Sequence, residues 1–245
     1  MGSNTSEKLG LVIPTLNEAG NIPALIERVR ASLDPIDPNY ELLVVDDNSS
    51  DGTQRIVTEF ANRDPRVKLL VRVNERGLAG AVIHGWKNTS AEILGVIDAD
   101  LQHPPELLPF LLSAVRKGND IAIGSRYVNG RGDSTAGWNP ARRAVSTMAT
   151  WVTYPLQRPG IRVKDPMSGF FMVRRECIEG IQLHPEGFKI LLEILVRGRI
   201  KSAAEIPYRF GLRHAGKSKA NVKVALDYAA LLGRLSVDAI LRPGS

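Results

Sequence analysis

Cysteine is almost missing from this chain: Cys177 is the only one in 245 residues, which excludes an internal disulfide and any centre built from several thiolates. A lone thiol reads as a core or surface residue and fits a reducing, cytosolic setting. No run of 18 or more uncharged apolar residues occurs, so the sequence predicts no transmembrane helix. The opening Met1-Gly-Ser-Asn-Thr-Ser is short and polar, without the apolar stretch of a signal peptide. Aromatics are scarce at 6%, and no helix-turn-helix, zinc-finger or aromatic RNA-binding pattern is present. Nucleic acid is therefore not the expected partner, although the net charge is +6. No Gly-x-Gly-x-x-Gly follows the first apolar run, which argues against a dinucleotide oxidoreductase. Repeats and low-complexity tracts are also absent.

What is present is a strong alternation of short apolar runs with amphipathic stretches, in a chain long enough for one α/β domain with a full core. Strands are predicted at Leu9 to Ile13, Leu42 to Val45, Val67 to Val73, Ile93 to Ile97 and Ile121 to Ile123. Helices are predicted at Glu18 to Leu33, Thr53 to Ala61, Leu78 to Asn88 and Pro105 to Lys117. This order specifies a doubly wound, mostly parallel, Rossmann-like sheet. After Gly124 the rhythm breaks into a polar, glycine-rich loop, Asn129 to Asn139. An amphipathic helix from Ala141 to Leu156, a strand from Gly169 to Val173, a helix from Phe188 to Arg197, a strand near Ala203 to Ile206 and a final helix from Val222 to Leu241 complete the reading.

The most informative residues are Asp98-Ala-Asp100-Leu-Gln102-His-Pro-Pro, which leave the apolar run Ile93 to Ile97. Carboxylates at i and i+2 after a strand share a face about 6 to 7 Å apart, a spacing that holds one divalent cation and the phosphates it bridges. Such acids also occur as simple helix caps ahead of a first turn like that at Pro105. A second pair, Asp46-Asp47, leaves another apolar strand and leads into Asn48-Ser-Ser-Asp51-Gly52-Thr53, so two strand ends deliver carboxylates to one sheet edge. Ligands of open α/β sheets bind beyond the carboxyl ends of the strands. The first strand runs into Pro14-Thr15-Leu16-Asn17-Glu18, where Thr15 and Asn17 would border a nucleotide and Glu18 alternatively serves as a first-turn helix charge.

Seven motifs occur here in one order: Pro14-Thr-Leu-Asn-Glu18, Asp46-Asp-Asn-Ser-Ser-Asp-Gly-Thr53, Arg76-Gly-Leu-Ala-Gly80-Ala81, Asp98-Ala-Asp-Leu-Gln102, Gly124-Ser-Arg-Tyr127, Asp165-Pro-Met-Ser-Gly-Phe170 and Phe188-Lys189. In that order the chain resembles the family 2 inverting glycosyltransferases of the GT-A fold, and within them the dolichol-phosphate (polyprenol-phosphate) mannose synthases, over residues 9 to 219. The resemblance implies a metal-dependent transfer of mannose from GDP-mannose to a dolichyl or polyprenyl phosphate. Polyprenol-phosphate glucose synthases using a UDP-sugar share most of the motifs and stand as the alternative. A non-catalytic nucleotide-sugar-binding or membrane-recruitment module is an alternative of another class, against which the intact Asp98, Asp100 and Gln102 set argues.

By the same resemblance Pro14, Thr15, Asn17 and Glu18 line the nucleoside pocket, Asp46 holds the base or ribose, and Asp98, Asp100 and Gln102 hold Mg²⁺ or Mn²⁺ on the donor diphosphate. The candidates for the acceptor phosphate are Arg126, Arg142 or Arg143, Lys189, Arg213 and Lys219, with Ser168 and Ser218 as hydroxyl donors; Arg213 also reaches the donor when its loop closes. Four departures from the family pattern put acceptor details in question: Leu16 for a common Tyr, Arg131 in a glycine-rich loop, Lys217 where Gly-Glu-Ser is usual, and Phe171 where a basic residue is frequent.

Charge divides the chain. Residues 1 to 125 carry 12 Lys and Arg against 17 Asp and Glu, whereas residues 126 to 245 carry 20 against 9. An acidic half that recruits a metal (9–125) and a basic half that meets anions (126–245) follow within one domain spanning 1–245. The segments 141–156, with Arg142, Arg143, Met148, Trp151 and Val152, and 222–241 read either as core helices or as helices in a membrane interface. The expected location is cytoplasmic, peripheral on the cytoplasmic face of a membrane. A membrane-anchoring partner or a transmembrane segment after Ser245 would complete such an arrangement.

Overall fold

Runs such as Leu9-Gly-Leu-Val-Ile, apolar at successive positions, suit strands covered on both faces, and they fold that way. The structure is a computed structural model and describes residues 6–127, 152–158, 160–184, 189–208 and 231–236. Its strands are β1 (Leu9–Thr15), β2 (Tyr40–Asp46), β3 (Val67–Val71), β4 (Ile93–Val96), β5 (Ile121–Ser125), β6 (Phe171–Arg174) and β7 (Ala203–Pro207). Its helices are α1 (Ile22–Leu33), α2 (Thr53–Ala61), α3 (Leu78–Lys87), α4 (Leu108–Arg116) and α5 (Ile190–Arg197).

The seven strands form one sheet in the order β3-β2-β1-β4-β6-β5-β7. Successive residues of β1 point to opposite faces: Leu9, Leu11 and Ile13 join a core with α1, α2 and α4, while Val12 joins another with α3 and α5. The sheet is thus sandwiched between helices. It is mostly parallel, but β6 runs antiparallel between β4 and β5. The chain order reverses between β1 and β4, which opens a crevice at their carboxyl ends. Because β6 is reversed, the residues that precede it, Asp165 to Phe170, arrive at that same edge.

Prolines moved two helix starts. Helix α1 begins at Ile22 rather than Glu18, with Pro23 in its first turn, after a turn in which the Glu18 carbonyl accepts the N–H groups of Asn21 and Ile22. A 3-10 turn, Pro105–Leu107, precedes α4, whose own first turn holds Pro109. Most of the segments 141–156 and 222–241 lie outside the described residues. Within their described parts, Tyr154–Leu156 is a 3-10 turn and residues 231–236 are helical. Leu156, Leu231 and Leu235 are buried against Leu192 and Val196 of α5, so these three side chains belong to the core rather than to a membrane-facing surface. Among the described residues no helix is long and apolar enough to cross a membrane.

Candidate active site

The loops after β1 and β2 are zipped together before any ligand arrives. The Asn17 N–H donates to Ser49 Oγ (2.8 Å), the Ser50 N–H to Asn17 Oδ1 (3.0 Å), the Glu18 N–H to Thr53 Oγ1 (3.0 Å) and the Ala19 N–H to Asp51 Oδ2 (3.0 Å). Asn17 and Asn48 both take a left-handed backbone (φ 58° each), which asparagine tolerates. Thr15 is buried and donates to Asp46 Oδ2 (3.0 Å), and Glu18 Oε2 accepts from Asn21 Nδ2 (2.7 Å). Pro14 is half-buried beside them.

Asp46 is enclosed by its own chain. Its carboxylate is fully buried and accepts hydrogen bonds from Thr15 Oγ1, the Ser49 N–H (2.8 Å), Ser49 Oγ (2.5 Å) and Gln54 Nε2 (2.8 Å). These bonds tie β1 to the β2–α2 turn. Asp47 is employed in the same way, accepting from Arg72 Nε (2.8 Å) and from the Gly77 N–H (2.8 Å) at the start of α3.

The acids after β4 are placed differently. Asp98 keeps 30% of its side chain exposed, and its Oδ2 lies 3.6 Å from His103 Nδ1. Asp100 Oδ1 accepts the Gln102 N–H at 3.1 Å. Between Asp100 and Gln102, Leu101 is held at φ 61°, a left-handed conformation that costs a leucine about 1 to 2 kcal/mol; its side chain packs on the core. Gly169 touches the pair from the other side, since a Cβ there would lie 2.7 Å from Asp98 Oδ2. His103 is buried, stacked on Phe170 at 5.3 Å and edge-on to Tyr208 at 5.7 Å. Burial, helped by Arg126 and opposed by Asp100, brings its imidazole down to about 4, so at neutral pH it adds no positive charge to the acids.

Among the described residues no group of three His, Cys, Asp or Glu is arranged to hold a metal ion. The part-exposed Asp98 and the buried Asp100 nevertheless offer hard oxygens on one turn and fit Mg²⁺ or Mn²⁺, which bind through one or two carboxylates together with substrate phosphates. Gln102 is half-buried on the same turn.

The cations come from the end of β5 and the start of α5. Arg126 follows β5 and is gripped by the fully buried Asp165, with Nε at 2.8 Å from Oδ2 and Nη2 at 2.7 Å from Oδ1. Asp165 is itself held where its N–H, with that of Lys164, donates to Glu205 of β7 (3.1 and 2.9 Å). Lys189 is half-buried just before α5. Burial and then the Arg126 charge push its ammonium below the ordinary value, while Asp165 and Asp98 pull the other way. Asp98, Arg126, Asp165 and Lys189 thus lie near enough for their charges to interact. Ser168, expected as a hydroxyl donor to phosphate, is instead buried and donates to the Gly124 carbonyl at 2.8 Å, joining β5 to the approach of β6. Arg131, Arg142, Arg143, Phe188, Arg213, Lys217, Ser218 and Lys219 lie outside the described residues.

Sequence reasoning missed three participants. His103 was inside a quoted motif without a role, Asp165 was quoted without its Arg126 partner, and Tyr208, a single aromatic after β7, carried no signal.

This fold and this edge define a nucleotide-sugar transferase scaffold, and the chain belongs to the glycosyl transferase family 2, whose model matches residues 11–181. It is 44% identical over 93% of its length to a dolichol-phosphate mannosyltransferase of Pyrococcus furiosus, of which it spans 63%. It is 35% identical over 95% of its length to the Saccharomyces cerevisiae protein of that name, spanning 88%, and 35% identical over 91% to a polyprenol monophosphomannose synthase of Mycolicibacterium smegmatis, spanning 86%. In fold it matches the glucosyl-3-phosphoglycerate synthase of Mycobacterium tuberculosis, solved with Mn²⁺ and UDP (TM-score 0.65, 20% identity, 98% of this chain and 82% of that one). It also matches a mannosyltransferase of Pyrobaculum calidifontis solved with GDP-Man and Mn²⁺ (TM-score 0.63, 17% identity, 99% and 66%).

Proposed function

We propose that this protein transfers mannose from GDP-mannose to a dolichyl or polyprenyl phosphate with inversion at the anomeric carbon. The observation that carries the reading is that the Asp98/Asp100 turn after β4 and the Arg126–Asp165 ion pair come to the same sheet edge, where the reversed β6 begins beside the end of β4. The named activities of the relatives support the choice of sugar and acceptor.

Asp98 and Asp100, with Gln102 beside them, would hold the divalent cation. When bound it neutralises the charge that develops on the departing nucleoside diphosphate. The zipped loops of Pro14 to Glu18 and Asp46 to Thr53 form a rigid wall for the nucleoside. Arg126 and Lys189 hold the acceptor phosphate, with Arg126 fixed by Asp165 so that little freedom is lost on binding. A phosphate monoester is largely ionised near neutral pH, its second pKa being about 6. One of its oxygens attacks the anomeric carbon from the face opposite the diphosphate, and the bond to the diphosphate breaks. No residue has to act as general base. The acceptor's prenyl chain requires the reaction to run at a membrane surface, and the basic half is the part of the chain suited to an anionic one.

The test is incubation with labelled GDP-mannose, UDP-glucose or UDP-N-acetylglucosamine, a polyprenyl phosphate and Mg²⁺ or Mn²⁺, followed by lipid extraction. Label from GDP-mannose should pass into the lipid, and excess chelator should stop it. Label from a UDP-sugar alone, or full turnover in chelator, overturns the donor or the metal assignment respectively.

A further inference from the structure

Strand β7 reads Ala-Ala-Glu-Ile-Pro and ends the sheet, paired with β5 so that Glu205 stands opposite Ile123. Alternation puts Glu205 on the same face as Ala203, which packs against the core shared with α3 and α5. An apolar residue would serve burial there better than a carboxylate, unless the carboxylate is hydrogen-bonded. Glu205 is half-buried, and both its oxygens are in use: Oε2 accepts the Lys164 N–H at 2.9 Å and Oε1 the Asp165 N–H at 3.1 Å. Successive N–H groups converge on one anion only where the backbone departs from an extended course, and the chain bends at Lys164.

Just past the bend, the fully buried Asp165 carboxylate takes three donors from one residue. The Arg126 N–H lies 3.0 Å from Oδ2, Nε 2.8 Å from Oδ2 and Nη2 2.7 Å from Oδ1. Arg126 follows the last residue of β5, so Asp165 sets both its backbone and its guanidinium. On the far side of Asp165 the chain is tied again: the Asp165 carbonyl accepts the Ser168 N–H at 3.2 Å, and Ser168 Oγ donates to the Gly124 carbonyl. That tie secures the chain after Asp165, and Glu205 secures it before. We infer that Glu205 is a positioning residue: by holding the amides of residues 164 and 165 it sets the Asp165 carboxylate, and through it the Arg126 guanidinium, at the sheet edge beyond β5. Its bearing on catalysis rests on the proposed role of Arg126 in holding the acceptor phosphate.

The test joins NMR of the arginine side chains to a mutant cycle. In the parent the Arg126 Nε–H should give a slowly exchanging resonance, assigned by its loss in Arg126→Lys. Glu205→Met keeps the length of the side chain and removes both acceptors. In it the Arg126 Nε–H should exchange faster and the KM for polyprenyl phosphate should rise by on the order of 100-fold, the scale of a misplaced binding group. The affinity for GDP-mannose, read by calorimetry, should be kept. Glu205→Gln retains one acceptor oxygen and should fall between the methionine variant and the parent. In an Arg126→Ala background Glu205→Met should cost little more, because the two act through one group. Unchanged Arg126 Nε–H exchange overturns the inference whatever the transfer assay shows. Fully additive losses overturn it too, as does a fall in nucleotide affinity equal to the loss at the acceptor. If Arg126→Ala keeps the parent's acceptor KM, the inference falls, while the mannosyl-transfer reading stands on the parent's activity. Should Glu205→Met fail to fold, Glu205→Gln carries the same measurements.

Discussion

Asp46 and Asp47 leave β2, Asp98 and Asp100 leave β4, and the two strands flank β1 on either side. On the β2 side the protein has claimed the acids: Thr15, Ser49, Gln54, Arg72 and the Gly77 amide donate to them. On the β4 side Asp98 stays partly open, its neighbouring imidazole is neutral, and a glycine keeps the space beside it clear. Paired acids after a strand are thus one sequence signal with two uses.

The largest effect should come from breaking the pair after β4. Asp100→Asn or Asp98→Asn should reduce transfer by roughly 10²- to 10³-fold or more, the scale of a lost electrostatic contact to a developing charge. The melting temperature should stay near that of the parent. A large stability loss without selective loss of transfer would place these acids with the structural pair.

The complementary substitution is Asp47→Asn. It leaves the Arg72 guanidinium, 3% exposed, without its buried counter-charge and should cost about 3 kcal/mol, seen as a melting temperature lower by roughly 10 °C. Calorimetry checks it, and an unchanged melting temperature would erase the distinction between the two pairs.

A third acid sharpens the point through pH. Burial alone would raise the Glu41 carboxyl, but hydrogen bonds from Lys68, Lys8 and Thr89 outweigh it and bring it down to about 2. A carboxyl depressed on folding stabilises above its unfolded value near 4.5, and the benefit is lost as pH falls toward 2. The parent should therefore outlast Glu41→Gln in thermal melts at pH 7, with the gap narrowing from pH 4.5 downward. A gap constant over that range contradicts the assignment.

The smallest effect on stability is expected at Leu101. Leu101→Gly relieves a left-handed leucine while giving up some core packing, two changes of about 1 to 2 kcal/mol each and opposite in sign. Melting should shift by only a few degrees as kcat drops several-fold, because the turn carrying Asp100 and Gln102 loosens. Leu101→Asn, at home in that conformation, should keep more activity than the glycine variant. If both keep full activity, the strain has no bearing on the pair after β4.

The alternation of β and α through Ser125 was legible because each buried strand is a short continuous apolar run and each helix repeats its apolar face. Helix starts at Ile22 and Leu108 were blurred by prolines that belong to first turns. The direction of β6 could not be read: Phe171-Met-Val-Arg174 has the same pattern whichever way it runs, and only its partners on β4 and β5 set the sense. Asp98 and Asp100 were found by spacing. That Asp46 is enclosed depends on Thr15 and Gln54, and that Ser168 is structural depends on the Gly124 carbonyl; none of these follows from local pattern. Tyr208 reaches His103 only through the pairing of β7 with β5.

The reversed strand has a further consequence. Since β5 and β6 are antiparallel neighbours, with Ile123 opposite Phe171, residues 126–170 are topologically the loop of a hairpin that departs from the crevice and returns to it. Lengthening a hairpin loop changes its closure entropy only slowly, by about 0.6 kcal/mol for each doubling. The stretch between Arg126 and Asp165 can therefore change in length without reordering the sheet, so long as that pair closes its neck and Leu156, Ile161 and Val163 keep their places in the core. Evolution or design has here an insert of adjustable length mounted on an unchanged sheet.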